Sequence, residues 1–347
     1  MASQTLILLT GATGFIGFRT LVFALKAGYS VRCALRDPKK EPTILSNPAI
    51  KSLQLAPNIL TFTTVPDLTV HCAYTEAMRD VTHVIHIASP LPRANPTGYL
   101  TPEKSFIQPA LRGALEVLEA AKHAGTVRRV VLTSSVTALI PSPVWMGIDP
   151  STETYGPASR IPTPKGPFPD NGKAYGASKT AQLNAVEEWT RKETPRFSVV
   201  TIHPSWVLGR NDLASTVEEL WAGTNRFPLD IAIGKKFDEP RTGACVHVDD
   251  VARAHVLALG ENVQGNRSFV LNSPMRWEKV GGVLERDFGN GVEKGLLSTE
   301  GEQRTAPIDI RGEETEIVLG FRYLSFEAQV KSVVGQYLEL KGLEGET

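Results

Sequence analysis

Tyr175 and Lys179 stand four residues apart in Tyr175-Gly176-Ala177-Ser178-Lys179, at the start of a helical pattern running to about Lys192. That spacing turns both side chains the same way. A free phenol titrates near ~10, too high to exchange protons readily at neutral pH, and an ammonium held beside it stabilises the phenolate and lowers that value. Tyr175 then serves as a general acid in one direction of a reaction and a general base in the other. Upstream, Leu132-Thr133-Ser134-Ser135 closes a strand-like run with two adjacent hydroxyls. Either Ser134 or Ser135 could hold a carbonyl oxygen while hydride reaches the carbon. A lone Tyr-x-x-x-Lys pair is usually an exposed helical pair; its company here points to chemistry.

That company includes Thr10-Gly11-Ala12-Thr13-Gly14-Phe15-Ile16-Gly17, directly after the apolar run Leu6-Ile7-Leu8-Leu9. Strand, glycine turn and helix in this order form a dinucleotide-binding signature. Gly11 permits the tight turn, Gly14 the close approach to a pyrophosphate, and Gly17 the packing of helix on strand. Thr13, Phe15 and Ile16 complete the loop whose N–H groups face the phosphates. The second strand ends Ala34-Leu35-Arg36-Asp37, with Lys39 and Lys40 nearby. An acid at the strand tip would bond the ribose 2′-hydroxyl of NAD, but Leu35 holds that place. Arg36 and Lys40 suit a 2′-phosphate, so NADP(H) is expected in preference to NAD(H), with Asp37 the contrary signal. Asp67-Leu68 and Ile87-Ala88-Ser89 follow the third and fourth strands, where adenosine and the nicotinamide ribose would lie; Lys179 could also reach that ribose.

These residues require a scaffold that brings strand ends together. From Thr5 to His203, apolar runs alternate with helical patterns. Strands are expected at Thr5 to Leu9, Val31 to Leu35, Leu60 to Val65, His83 to Ile87, Val130 to Ser134 and Val199 to His203. Helices are expected at Phe15 to Ala27, capped by Gly28, and at Ala110 to Ala124, capped by Gly125. The fold class is α/β: a Rossmann-type doubly wound parallel sheet with a smaller C-terminal substrate-binding lobe. The dinucleotide-binding domain is expected mainly over 1–208 and the lobe mainly over 209–347, with some segments returning to the first domain. Pro141 to Pro169 carries eight prolines, so it is expected to be irregular, part of an active-site loop over 141–172. In the lobe, Val246 to Val251 leads into a helix and Phe269 to Asn272 forms a strand. From about Leu340 the chain should fray.

With 347 residues, 41% of them apolar, the chain can bury a large core. Lys and Arg balance Asp and Glu at 37 each, without basic clusters, which argues against nucleic acid or a membrane surface as partner. Cys33, Cys72 and Cys245 are scattered and expected to be reduced thiols. No secretory signal or membrane span is evident, so a cytoplasmic protein is expected. Neither serine sits in a G-x-S-x-G elbow, and His203, His247 and Asp249 make no convincing triad. His83 and His86 fall on opposite strand faces and cannot share a metal. Trp145, Tyr155, Trp206 and Trp221 are as suited to core packing as to an aromatic pocket. Pro90, Trp145 and Trp206 are candidate substrate contacts.

The chain resembles the extended short-chain dehydrogenase/reductase family over nearly its whole length. It is most similar to the dihydroflavonol reductase and cinnamoyl-CoA reductase group and its fungal aldehyde and ketone reductases. Thr10 to Gly17, Val31-Arg32 with Arg36-Asp37-Pro38, Val127 to Ser135, Tyr175 to Lys179, Val246 to Ala252 and Leu319-Gly320-Phe321 carry the likeness. The resemblance implies Ser135, rather than Ser134, with Tyr175 and Lys179 as the catalytic triad. It further implies Arg36 on the 2′-phosphate and Pro204 and Val207 against the nicotinamide. The implied reaction is NADPH-dependent reduction of a small aldehyde or ketone to an alcohol, in secondary metabolism or clearance of foreign carbonyls, by a monomer or homodimer. Pro109 stands where many members have an asparagine, 65–81 is irregular, Ile308 to Gly312 lacks the usual polar run, and the 141–172 loop matches nothing closely. Alternatives are a nucleotide-sugar epimerase or dehydratase that retains NAD, and a non-catalytic NADP sensor.

Overall fold

The structure, a computed structural model, describes residues 5–90 and 101–343. Its main sheet is built from β1 (Leu6–Thr10), β2 (Ser30–Leu35), β3 (Leu60–Thr64), β4 (His83–His86), β5 (Arg129–Thr133), β6 (Ser198–Pro204) and β7 (Arg267–Leu271). Their order across the sheet is β7-β6-β5-β4-β1-β2-β3, and the registers from β3 to β6 are all parallel. Ile7, Leu8 and Leu9 are fully buried, as expected where helices cover both faces of a parallel sheet. The chain winds outward from β1 to β3, then returns to place β4 on the other side of β1. The carboxyl ends of β1 and β4 therefore frame the topological switch point, where such sheets bind ligands.

The principal helices are α1 (Phe15–Lys26), α2 (Gln108–Ala124), α3 (Asn171–Glu193) and α4 (Val248–Leu257). α1 gives way at Ala27 to Gly28, φ +84°, and α2 to Gly125, φ +68°. α3 begins earlier than the helical pattern indicated: the Asp170 carboxylate accepts from Lys173 N at 2.8 Å, capping the helix one turn before Tyr175. After β2, short helices at Pro38–Lys40, Glu41–Ser46 and Pro48–Lys51 fill a stretch given no element from the sequence. Each carries a proline in its first turn, where the missing N–H costs nothing. Residues 65–82 form turns, held in part by Arg32, whose guanidinium donates to the Ala77 and Arg79 carbonyls at 2.8 and 2.6 Å.

The chain divides into two compact units: Met1–Ile140, Pro157–His203 and Ala252–Phe269 in the first, and Pro141–Gly156, Pro204–Val251 and Val270–Thr347 in the second. The first is packed around Leu8, Val84, Val117, Leu118, Val130 and their neighbours on one sheet face. The second has its own core, in which Trp277 meets Phe326 and Phe227 edge-on at 5.8 and 6.3 Å. Pairs of short strands frame it, including Lys236–Thr242 with Glu302–Ala306 and Trp206–Leu208 with Ala244–His247.

The proline-rich run corrects one expectation. It contains a helical turn at Ser142–Trp145 and a two-residue strand, Thr154–Tyr155, paired with Asp309–Ile310. Pro143 lies in the helix's first turn, so proline starts this element instead of breaking it. The tail stays helical from Phe326 to Leu340, and residues 344–347 lie outside the description. All three cysteines are free. No described helix is long and apolar enough to cross a membrane.

Trp277 is 1% exposed, and its indole N–H donates to the Thr242 carbonyl at 3.1 Å. Trp277→Ala should lower unfolding stability by about 3–5 kcal/mol, read as a shift of the urea midpoint followed by tryptophan fluorescence.

Candidate active site

Thr10, the last residue of β1, organises the switch point. Its hydroxyl accepts from the backbone N–H groups of Ile87 and Ala88, both at 3.1 Å, and lies 2.9 Å from His86 Nδ1. With two donors already received, the single hydroxyl proton goes to His86, whose imidazole burial keeps neutral, its pKa lowered to about 3. Two glycines that follow leave no room for a side chain. A Cβ on Gly11, at φ +81°, would sit 2.8 Å from Ala88 N, and one on Gly17 would sit 2.0 Å from the Gly11 carbonyl oxygen. α1 enters from Gly14 without a side-chain cap and without an acid in its first turn. Its leading N–H groups are thus directed into a glycine cradle lacking its own anion, which fits a dinucleotide pyrophosphate.

At the tip of β2, Leu35 is buried and Arg36 to Lys40 are exposed. Asp37 accepts from Lys39 N at 3.0 Å, capping the short helix it precedes. Among the described residues the Arg36 guanidinium has no hydrogen-bond or ion-pair partner, so the aspartate does not neutralise it. Asp67 accepts from the N–H and hydroxyl of Thr69 at 2.8 and 2.7 Å, and these bonds hold its carboxyl below the usual range. Leu68 seats its side chain where a Cβ on Gly113 of α2 would lie, 2.1 Å from Leu68 Cδ1.

β5 and α3 bring the reactive side chains together. Lys179 is 2% exposed; its Nζ donates to Ser89 Oγ at 3.0 Å and reaches the Thr133 carbonyl and Gln182 Oε1 at 3.5 Å. No carboxylate accompanies it among the described residues, and burial lowers its pKa to about 8. The ammonium lies 5.6 Å from the centre of the Tyr175 ring. Tyr175 retains an open edge, but protein atoms crowd the phenol and push it up to about 12, an effect opposed by a hydrogen bond with the Ser135 side chain. Ser135 also accepts from Thr137 N at 3.2 Å, capping the turn Val136–Ala138. Its neighbour points elsewhere: Ser134 Oγ has no partner and lines a small internal cavity with Leu132, Gln182, Leu183, Val186 and Thr201.

Residues 7–272 match the NAD dependent epimerase/dehydratase family. The chain belongs to that family. Ketoreductase CTB6 of Cercospora beticola is 40% identical over 97% of this chain and 96% of its own length. The NAD-dependent epimerase/dehydratase FUM13 of Gibberella moniliformis is 34% identical over 98% and 97%. Among solved structures, yeast methylglyoxal/isovaleraldehyde reductase Gre2 complexed with NADPH superposes with a TM-score of 0.79 at 21% identity, covering 97% of this chain and 99% of that one. The protein is an NAD(P)-dependent oxidoreductase of the extended short-chain dehydrogenase/reductase type.

The remaining candidates of this family member fall in different places. Pro90 is half-buried beyond β4, and Pro204 ends β6. Val207 pairs with Val246 in the second unit, where Trp145 and Trp206 come together with ring centres 4.9 Å apart; Phe227 meets Trp206 edge-on at the same distance. Trp221 packs on Tyr337 and donates to Asp230 at 2.9 Å, while the Tyr155 hydroxyl bonds to Ser151 at 3.0 Å. The described residues contain no cluster able to hold a metal, and His83 turns away from buried His86 toward Thr82. Thr10, Gln182 and His203 were missed as site components because their partners are distant in sequence or lie on a helix whose polar face gives no special signal.

Lys179 carries a measurable consequence. Its folded pKa, about 8, lies below the ordinary 10.5, so the folded state binds the proton less well than the unfolded chain. The resulting penalty is complete below pH 8 and disappears as pH rises to 10.5. Lys179→Met should therefore stabilise the ligand-free protein at pH 7 by on the order of 3 kcal/mol, with the advantage vanishing by pH 10.5. Urea titrations of both proteins across that range test it, and a constant difference with pH would contradict the assignment.

Proposed function

We propose that this protein is an NADPH-dependent reductase of small aldehydes or ketones, with Tyr175 as the proton donor. The observation carrying this reading is the convergence of the Ser135 hydroxyl, the Tyr175 phenol and a buried Lys179 ammonium beside a glycine cradle that fits a dinucleotide. NADPH, when bound, supplies hydride to the substrate carbon. Gly11 to Gly17 would hold the pyrophosphate, Arg36 and Lys40 the 2′-phosphate, and Lys179 with Ser89 the ribose near the reacting end. Ser135 donates to the substrate oxygen and orients it toward the phenol. Tyr175 protonates that oxygen as negative charge develops, and the Lys179 ammonium stabilises the phenolate left behind. In the ligand-free site burial raises the Tyr175 pKa, the reverse of the lowering expected from its spacing to Lys179, so the phenol rests protonated. The names of the ketoreductase and NADPH-dependent reductase relatives support the same substrate class and the same coenzyme.

The purified protein should oxidise NADPH with benzaldehyde or ethyl acetoacetate, tested within a wider carbonyl panel. Tyr175→Phe should lower kcat by roughly 10²–10⁴-fold with NADPH affinity little changed; undiminished turnover would refute the donor assignment. Arg36→Ala should raise KM for NADPH far more than for NADH, so equal effects on both would remove Arg36 from coenzyme selection. Tightly retained NAD with no net NADPH consumption would favour an epimerase or dehydratase.

A further inference from the structure

His203, the penultimate residue of β6, is a fully buried imidazole between two residues far from it in sequence. Nδ1 lies 3.3 Å from the backbone oxygen of Ser135, and Nε2 lies 3.2 Å from Ser268 Oγ. A carbonyl can only accept, so Nδ1 carries the ring proton and Nε2 is the acceptor. Ser268 must then donate to Nε2. Its lone pairs are left facing Arg160 Nη2, 3.4 Å away, a group that can only donate. Burial lowers the His203 pKa to about 3, so the ring stays neutral at working pH. Donation consequently runs in one direction, from Arg160 through Ser268 and His203 to the Ser135 peptide.

The outer end of the chain is firmly placed. Arg160 Nε donates to both Glu187 carboxylate oxygens, at 2.9 and 3.0 Å, while Nη1 donates to the Pro157 and Ser159 carbonyls at 2.8 and 2.5 Å. Glu187 belongs to α3, and Asn184 on the same helix donates to Ile161 O and Thr163 Oγ1 at 3.4 and 3.0 Å. The later part of the proline-rich run is thus pinned to the helix that carries Tyr175 and Lys179. An ion pair as exposed as Arg160–Glu187 contributes at most about 1 kcal/mol to stability. Its consequence for hydrogen-bond direction reaches Ser135. The Ser135 oxygen already accepts from Ala138 N at 3.0 Å, and His203 supplies its second donor.

We propose that His203 is a positioning residue: with Ser268 and Arg160 it locks one imidazole tautomer onto the Ser135 carbonyl, fixing the peptide that aims the Ser135 hydroxyl. The opposite tautomer would set a ring lone pair against that carbonyl. This inference rests on the proposed reduction, in which Ser135 orients the substrate.

The test is a double-mutant cycle on the panel carbonyl with the highest turnover, with NADPH affinity and thermal midpoint measured for every variant. Ser135→Ala should lower kcat by about 10²-fold, and His203→Leu by roughly tenfold, with NADPH affinity unchanged. His203→Asn, whose amide can donate in place of Nδ1, should recover most of that loss. In the double variant, His203→Leu should add less than about twofold to the Ser135→Ala defect, because the hydroxyl it aims is gone. Additive losses, or no rescue by asparagine, overturn the inference while leaving the reductase reading intact. Undiminished turnover in Ser135→Ala overturns the role of Ser135 itself, and the inference with it. Should His203→Leu fail to fold, the same cycle with Ser268→Ala applies the non-additivity criterion, since that change leaves the imidazole in place and removes only the hydroxyl whose donation to Nε2 supports the Nδ1–H tautomer.

Discussion

The buried Lys179 ammonium is held by three neutral oxygens, from Ser89, Thr133 and Gln182, without a carboxylate beside it. Placing a cation in such surroundings is unfavourable, and its lowered pKa expresses that cost as a preference for the neutral amine. A carboxylate would remove the penalty, but it would also neutralise the field at Tyr175, 5.6 Å away. In the proposed reduction the cation's attraction is thereby left available for the charge that would develop on the phenol as it gives up its proton. Catalytic sites gain most from such interactions, because they favour the transition state over the resting state.

That arrangement depends on three strand ends meeting with little tolerance. Ser89 follows β4, Thr133 ends β5, and Thr10 at the end of β1 fixes the backbone between β4 and Ser89 through Ile87 and Ala88. Because β1 lies between β2 and β4, the glycine cradle after β1 and the oxygen that holds Lys179 are bound to the same threonine. The cradle has no room for adjustment: a Gly17 Cβ would overlap the Gly11 carbonyl, and a Gly11 Cβ would press on Ala88. The groups suited to a coenzyme and those suited to proton transfer are consequently joined through the hydrogen bonds of one threonine.

Six of the seven sheet strands were legible because a parallel strand covered on both faces needs a nearly unbroken apolar run, whereas nothing in the run at Phe269 to Asn272 separates an edge strand of this sheet from a strand of the lobe. Gly11 and Gly17 were legible because each meets a steric demand that only glycine satisfies. The two serines were not separable by the same means. Successive residues at a strand end face opposite sides, so one step decides whether a hydroxyl joins Tyr175 or lines an internal cavity, and both runs of sequence look alike. The short helices between Pro38 and Lys51 escaped notice since their prolines resemble breakers until their place in the first turn is seen. Asp37 was equally ambiguous: beside Arg36 it suggests a partner for that charge, but its carboxylate is occupied by a backbone N–H.

His203 shows the further limit of local sequence. Nothing in Thr201-Ile202-His203-Pro204 identifies the imidazole as more than a strand-end side chain, because its partners lie 68 and 65 residues away. The information is instead in the direction of donation. A guanidinium cannot accept and a carbonyl cannot donate, so a serine and an imidazole placed between them have only one arrangement of protons that satisfies every link. The carbonyl end fixes the imidazole tautomer, and the hydroxyl follows, donating to Nε2 while accepting from the guanidinium. In the proposed positioning role a neutral histidine acts by geometry rather than titration. The proline-rich run, irregular over much of its length, thereby gains a definite physical connection: Arg160 ties its later part to α3 and, through the same guanidinium, to the peptide of Ser135.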